Sequence, residues 1–322
     1  EPTWTAIGLG IGTWLNWLIV ARKLRRYSAN INAITVPEFY SKRYHDKSNV
    51  LNGIAALVII VFFIPYTASG FAACGKLFNS LFGVNYTTAM IISALVIVGY
   101  TIMGGFKAVS TTDLIQSIVM TIALVVVVFF GISKAGGVDA VMDNAKELAG
   151  YLSMTASYDV GTGAAKPYST LTIISTLAWG LGYFGMPHIL LRFMAIEDEK
   201  KLVLSRRIAT IWVFIAMAIA IFIGVVGLGM TKAGALGFLE GSSSETIIVK
   251  IAGLLSEHGI FPAIVAGLIL AGILAATMST ADSQMLAAAS SVSQNIVQDF
   301  FKVKLSEKTS LLVARITIVA IS

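Results

Sequence analysis

Ala178-Trp-Gly-Leu-Gly-Tyr-Phe-Gly-Met-Pro-His188 lies inside a long apolar run, yet it is a poor sequence for a helix. Gly180, Gly182, Gly185 and Pro187 interrupt it in quick succession. Interior glycine costs about 1 kcal/mol against alanine and proline about 3. Broken backbone at membrane depth is tolerated only where it is buried in protein or lines a cavity. In secondary transporters such broken spans form the solute site. Trp179 and Tyr183 stand four residues apart, so any helical portion is expected to put both rings on one face. The alternative reading is an interfacial aromatic belt with a packing kink, but a belt does not require three glycines.

The rest of the chain agrees that this is membrane depth. Of 322 residues, 57% are hydrophobic and only 12% charged, with a mean hydropathy of +0.83. A soluble domain carries about 25% charged residues, so there is too little charge here to coat a soluble surface. Apolar runs of about twenty residues recur, the length that crosses a bilayer at ~1.5 Å per residue. The fold class is all-α and polytopic, which excludes a soluble enzyme, a disulfide-stapled module and a disordered scaffold. Cys74 is the only cysteine and has no intrachain partner. The opening residues show no basic n-region followed by a short apolar stretch, so the first apolar run is expected to be a span and not a signal peptide. The chain opens on Glu1 and stops at Ser322 inside an apolar run, which reads as the middle of a longer, transporter-sized protein.

About eight spans are expected. Seven run over Trp4–Ala21, Val50–Ala73, Thr87–Phe106, Asp113–Ser133, Tyr168–Met194, Ile208–Met230 and Ile260–Val292; a partial one starts near Ser310. The seventh is too long for one straight crossing, so it tilts or continues past the membrane. Basic residues follow the alternation. Arg22, Lys23, Arg25, Arg26, Lys42, Arg43, Lys47, Lys107, Arg192, Lys200, Lys201, Arg206, Arg207, Lys302, Lys304 and Lys308 fall in loops on one side. Only Lys76, Lys134, Lys146, Lys166, Lys232 and Lys250 fall on the other. The positive-inside rule makes the first side cytoplasmic. It also explains the net charge of +6 without nucleic acid, since no basic stripe interleaved with aromatics is present. Residues 134–167 form an external loop, with a surface helix expected over Val138–Leu152.

A second polar region is Ala276-Thr-Met-Ser-Thr-Ala-Asp-Ser-Gln284. Ala276, Ser279, Thr280 and Ser283 follow the i, i+3, i+4, i+7 spacing of one helical stripe. Hydroxyls beside a carboxylate offer hard oxygen donors, which suit a small hard cation such as Na⁺. The alternative is that the hydroxyls serve close helix packing; Asp282 favours function, because an unpaired carboxylate there is expensive. A third cluster, Tyr100-Thr-Ile-Met-Gly-Gly-Phe-Lys-Ala-Val-Ser-Thr-Thr-Asp113, joins two spans through a two-glycine turn. Asp113 then opens the second of them, where helix capping alone would account for it. Gly8-Leu-Gly-Ile-Gly12 lacks the preceding strand of a nucleotide fingerprint and reads as helix packing. Transition-metal and Walker patterns are missing. Intramembrane protease patterns also fail, because Thr67 precedes Ala68-Ser69-Gly70 while Thr112 and Ala281 precede the two aspartates.

Taken together, Trp179–His188 followed by Arg192-Phe-Met-Ala195, Gly104–Asp113 and Met278–Gln284 resemble the hallmarks of the sodium/solute symporter family. The resemblance is greatest to its bacterial sodium/proline branch. Leu15-Asn-Trp17 and Thr35-Val-Pro-Glu-Phe-Tyr40 fit as well. It implies a transporter, not an enzyme, built from two inverted repeats of five helices. Residues 1–133 would be helices two to five of the first repeat, and residues 168–322 helices one to four of the second. The resemblance assigns the main Na⁺ site to the carbonyl of Ala276 and the hydroxyls of Ser279 and Thr280, with remaining ligands from a first helix outside this chain. It offers Asp113, Ser279, Asp282 and Ser283 as a second ion site, with the carboxylate of Asp282 departing from the all-hydroxyl version. Tyr100, Trp179, Tyr183 and Pro187 correspond to residues that shape the solute site, and Met186 replaces a polar amide of some members. The implied activity is Na⁺-coupled uptake of L-proline across the inner (plasma) membrane, in lipid, by alternating access and with no oligomer required. Another small solute (betaine, pantothenate or a sugar) and a transporter-like sensor are the alternatives.

Overall fold

The computed structural model describes residues 2–322. α1 (Pro2–Leu15) passes through a π-helical stretch, Asn16–Ala21, into α2 (Arg22–Asn30). The short α3 (Val36–Arg43) follows from Thr35-Val-Pro-Glu38. The Thr35 hydroxyl accepts from the Glu38 N–H at 3.2 Å, and the Glu38 carboxylate accepts from the Ile34 N–H at 2.8 Å, a near capping box. α4 (Val50–Phe82) carries Pro65 inside it. α5 (Tyr86–Lys134) contains both the third and fourth expected spans, and its 49 residues would run ~74 Å if straight. It is interrupted at Gly105, with φ 60° and ψ −169°, a conformation open essentially to glycine alone.

Beyond α5 come α6 (Val138–Lys146), β1 (Ala156–Tyr158) and β2 (Ala165–Pro167). The surface helix is therefore shorter than expected, and a short antiparallel hairpin with Tyr158 opposite Ala165 follows it in an otherwise helical chain. Asp159 explains the hairpin, because its side chain accepts from the N–H groups of Gly161 and Thr162 in the turn. The broken run is α7 (Thr170–Leu177), a 3-10 helix at Ala178–Phe184, and α8 (Pro187–Ala195). α9 (Lys201–Lys232), α10 (Ile247–Ser256) and α11 (Ile260–Ser290) follow, and α11 continues as a π-helix over Ser291–Phe300 before α12 (Glu307–Ile321). Among the described residues, five helical runs are long and apolar enough to cross a membrane, or six with the broken run as one span. The limbs of α5 count there as one run, and α12 has only 15 residues.

Two compact units interleave along the sequence. The first comprises the chain up to Asn16, Ile118–Phe184 and Leu204–Ile273; the second comprises Trp17–Ser117, Gly185–Val203 and Leu274–Ser322. In the first unit Val127, Val226, Met230, Ile251 and Ile269 are fully buried. In the second, Phe193 packs edge-on against Trp17 at 4.5 Å between centroids, and Phe71, Cys74, Ile97 and Met285 share another core. Leu95, Phe129 and Ile208 are among the many large apolar side chains left exposed, as a lipid-facing surface requires.

Polar contacts tie the loops together within each unit. In the second unit Arg22 and Arg26 pair with Glu199 at 2.5 and 2.7 Å, joining the two most basic loops. Hydrogen bonds from Arg26 and then Arg22 hold the Glu199 carboxyl down to about 2. Asn52 donates to Asp299 at 2.9 Å and Asn295 to Thr35 at 2.8 Å, tying the π-helix to α4 and the start of α3. In the first unit Lys232 pairs with Glu147, and Lys134 meets His258 at 2.7 Å.

Candidate solute and cation site

α11 runs unbroken through Ala276–Gln284. Serine and threonine in a helix interior return their hydroxyls to the carbonyl one turn back, and here two of them return to the same one. Ser279 Oγ donates to the Ala276 carbonyl at 3.2 Å and Thr280 Oγ1 to the same oxygen at 3.3 Å. Three hard, uncharged oxygens thus converge on one face of the helix. One turn on, Ser283 Oγ donates to the Ser279 carbonyl at 3.0 Å. The neighbouring Gln284 is fully buried, with Thr67 Oγ1 on α4 at 3.3 Å from its side-chain oxygen.

Asp113, Asp282 and Ser283 are also brought together, and Tyr100 joins them. Asp282 is fully buried and accepts from the Tyr100 hydroxyl at 2.8 Å. Asp113 does not open a helix. α5 resumes directly after Gly105, so Asp113 lies about two turns in, and its carboxylate accepts from Arg192 Nη2 on α8. The same Nη2 donates to Ser283 Oγ at 2.8 Å. Arg192 is therefore not a loop cation, as the charge count had it, but a residue of α8 paired with a carboxylate. The signal was present in sequence: Arg192 stands one helical turn after His188 in a run that begins with proline.

The broken run shows why the chain departs from an α-helix there. The carbonyl of Tyr183 would accept from the N–H of residue 187, which is a proline and has none. Instead Asn16 Nδ2 donates to the Tyr183 carbonyl at 2.8 Å, so the orphaned acceptor is satisfied by a side chain from α1's end. Gly180 lies against the backbone of α1. A Cβ there would stand 1.9 Å from the Gly8 carbonyl oxygen, and one on Gly12 would stand 2.2 Å from the Gly180 carbonyl oxygen. Gly8 and Gly12 are a small-residue pair four apart, which lets two backbones touch.

The expectation that Trp179 and Tyr183 share a face is corrected. At about 3.0 residues per turn, four residues advance one turn and about a further 120°, so the 3-10 segment splays the rings. Trp179 is exposed and Tyr183 half-buried, both in the first unit. Tyr100, Pro187 and all the cation-site residues belong to the second. Within the second unit a cavity of about 370 Å³ is lined by His188, Arg192, Ser283, Ser290 and Ser293 with apolar Leu286 and Ala287. Sequence reasoning gave no role to Asn16, Thr67 or Gln284; each is a buried polar residue in an apolar run, which was the available signal. Among the described residues no group of three or more His, Cys, Asp or Glu side chains could hold a metal ion.

A multi-pass helical membrane protein with a glycine-broken span and a hydroxyl-lined helix is thereby defined. The chain belongs to the sodium:solute symporter family, which it matches over residues 1–322. It is 37% identical over 320 residues to the osmoregulated proline transporter OpuE of Bacillus subtilis (strain 168), covering 99% of this chain and 62% of that protein. It is 36% identical over 324 residues to the sodium/proline symporter of Escherichia coli (strain K12), covering 100% of this chain and 62% of that protein. The chain thus spans about three fifths of the length of these curated relatives. A solved structure described as the substrate-bound outward-open state of a Na⁺-coupled sialic acid symporter matches with a TM-score of 0.70 at 17% identity. That match covers 99% of this chain and 66% of the other, and it establishes the shared fold.

Proposed function

We propose that this chain provides part of the cation site and part of the solute site of a Na⁺-coupled L-proline uptake system that works by alternating access. The observation that carries the reading is the convergence of the Ala276 carbonyl, Ser279 Oγ and Thr280 Oγ1 within 3.3 Å on one helix face of a symporter-family chain. A sodium ion takes those oxygens when the two hydroxyls swing their protons away from the carbonyl. The cargo is supported by the proline transport named for relatives 35–37% identical to it.

In this reading Trp179 and Tyr183 supply aromatic surface for the pyrrolidine ring. Backbone polar groups freed at the break meet the solute's carboxylate and ammonium, as half-helix ends do in other transporters. The family resemblance also assigns Tyr100 and Pro187 to solute binding. Residues 1–133 and 168–322 contribute to two inverted repeats flanking the external loop 134–167, in a plasma membrane and with no second copy required. Sodium and proline must each favour the same conformer, and each then raises the other's affinity by the same factor.

The test is labelled proline uptake into proteoliposomes containing the full-length protein, under an inward sodium gradient and under an equal potassium gradient. Accumulation with sodium alone is the expected result. Sodium-dependent accumulation of a different small solute would overturn the cargo and keep the ion, while equal accumulation with potassium would overturn the ion.

A further inference from the structure

Arg192 lies on α8 and reaches two other helices. Its Nη2 donates to Asp113 Oδ2 on α5 at 2.5 Å and to Ser283 Oγ on α11 at 2.8 Å. Ser283 Oγ lies 3.3 Å from Asp282 Oδ1, and Asp282 Oδ2 accepts from Tyr100 at 2.8 Å. Two carboxylates therefore sit in one continuous chain of polar contacts, with a single cationic side chain at its head. Asp282 is fully buried and the Asp113 side chain is 11% exposed. Carboxylates so placed are costly without a positive charge close by. A guanidinium is permanently charged, and its planar fork suits carboxylate and hydroxyl acceptors together.

The hydroxyls of Tyr100 and Ser283 that face Asp282 can turn their protons aside for a cation, as those at Ala276 can. The guanidinium cannot. Its Nη2 occupies the approach between Asp113 Oδ2 and Ser283 Oγ and carries its charge permanently. Asp113 Oδ1, buried without a hydrogen-bond partner, is the oxygen left to a cation beside it.

We propose that Arg192 is the resident cation of the Asp113–Ser283–Asp282 group, and that its tethered charge keeps this group from taking up a second sodium ion. The sodium reading of Ala276, Ser279 and Thr280 underlies only the absolute count of bound ions. The inference itself concerns the change in that count when the guanidinium is removed.

The experiment is equilibrium binding of radioactive sodium to the purified full-length protein without solute, read as ions per molecule. One ion is expected for the wild type and for Arg192→Lys, and two for Arg192→Gln, which leaves Asp113 and Ser283 open. The double variant Arg192→Gln/Asp113→Asn should return to one. Two ions in the wild type, falling to one in Asp113→Asn, would overturn the inference. So would an Arg192→Gln protein that melts as a folded protein and binds no additional ion. If Arg192→Gln does not fold, the wild type and Asp113→Asn decide: one ion in each supports the inference, and two falling to one overturns it. Thr280→Ala separates the two claims. Wild-type binding that is insensitive to Thr280→Ala would fail the sodium-site reading, while a gain of one ion on losing Arg192 would still support the tethered-cation inference.

Discussion

The runs Ala178–His188 and Ala276–Gln284 both concentrate small and polar residues in apolar surroundings, but they depart from a plain apolar helix in different ways. The first gives up α-helical hydrogen bonds. Pro187 removes a donor, Asn16 replaces it at the Tyr183 carbonyl, and the backbone of Gly180 rests on that of Gly8 and Gly12. The second keeps the α-helix and places its chemistry on side chains, with Ser279 and Thr280 folded back onto the Ala276 carbonyl. A backbone that is broken offers its own amides and carbonyls, and its geometry is fixed by what packs against it. An intact helix offers hydroxyls at fixed spacing, and its geometry is fixed by its own period.

Substitutions that add a methyl group separate the two regions most sharply. Gly180→Ala drives a Cβ to 1.9 Å from the Gly8 carbonyl oxygen, between two backbones that cannot rotate away. Overpacking of this kind costs at least about 1–3 kcal/mol, so we expect the largest loss of folded protein, read by thermal melting in detergent. Gly182→Ala, with nothing within 4 Å of its Cβ, is the control and should melt close to the wild type. A melting temperature equal for both would break the comparison. Next in size is Gly105→Ala, where a φ of 60° with ψ of −169° imposes strain of about 1–3 kcal/mol; the same melt reads it.

Trp179→Ala should act on the solute alone. With Trp179 67% exposed, its loss should weaken proline binding about tenfold, equivalent to ~1.4 kcal/mol. Sodium binding measured without proline should be unchanged. An altered solute-free sodium affinity would show that the broken run and α11 are not separable in function. The smallest effect belongs to Glu199→Gln in the loop after α8. The Glu199 carboxyl is held down to about 2 by Arg26 and Arg22, so its contribution is complete above the ordinary glutamate range and is lost as pH falls through about 2. The variant should melt marginally lower at neutral pH, and the difference should vanish in strong acid. A difference that grows on acidification would contradict the pairing.

The two regions also differ in how far sequence carries. The Ala276–Ser283 stripe was legible because a regular helix converts spacing directly into a face, and α11 stays regular. The Gly8–Gly12 pair was legible for the same reason on α1. The rings of Trp179 and Tyr183 were misplaced because the α period was applied to a stretch that Pro187 and Asn16 make into a 3-10 helix; the Asn16 partner lies 167 residues away in sequence. Arg192 was counted with the loop cations because charge alone marks a loop in an apolar chain. Its true environment depends on Asp113, 79 residues earlier, which in sequence reads as the opening of a helix. The hairpin at Ala156–Pro167 escaped because its strands are three residues each.

The central claim is that Ser279 and Thr280 hold the coupling sodium. Half-saturating sodium for proline uptake into proteoliposomes tests it directly in Ser279→Ala and Thr280→Ala. Contacts from a neutral group to a charge contribute about 1.5–3 kcal/mol, so each variant should need roughly ten- to hundredfold more sodium while still accumulating proline when sodium is raised. A sodium requirement equal to the wild type in both variants would contradict the account.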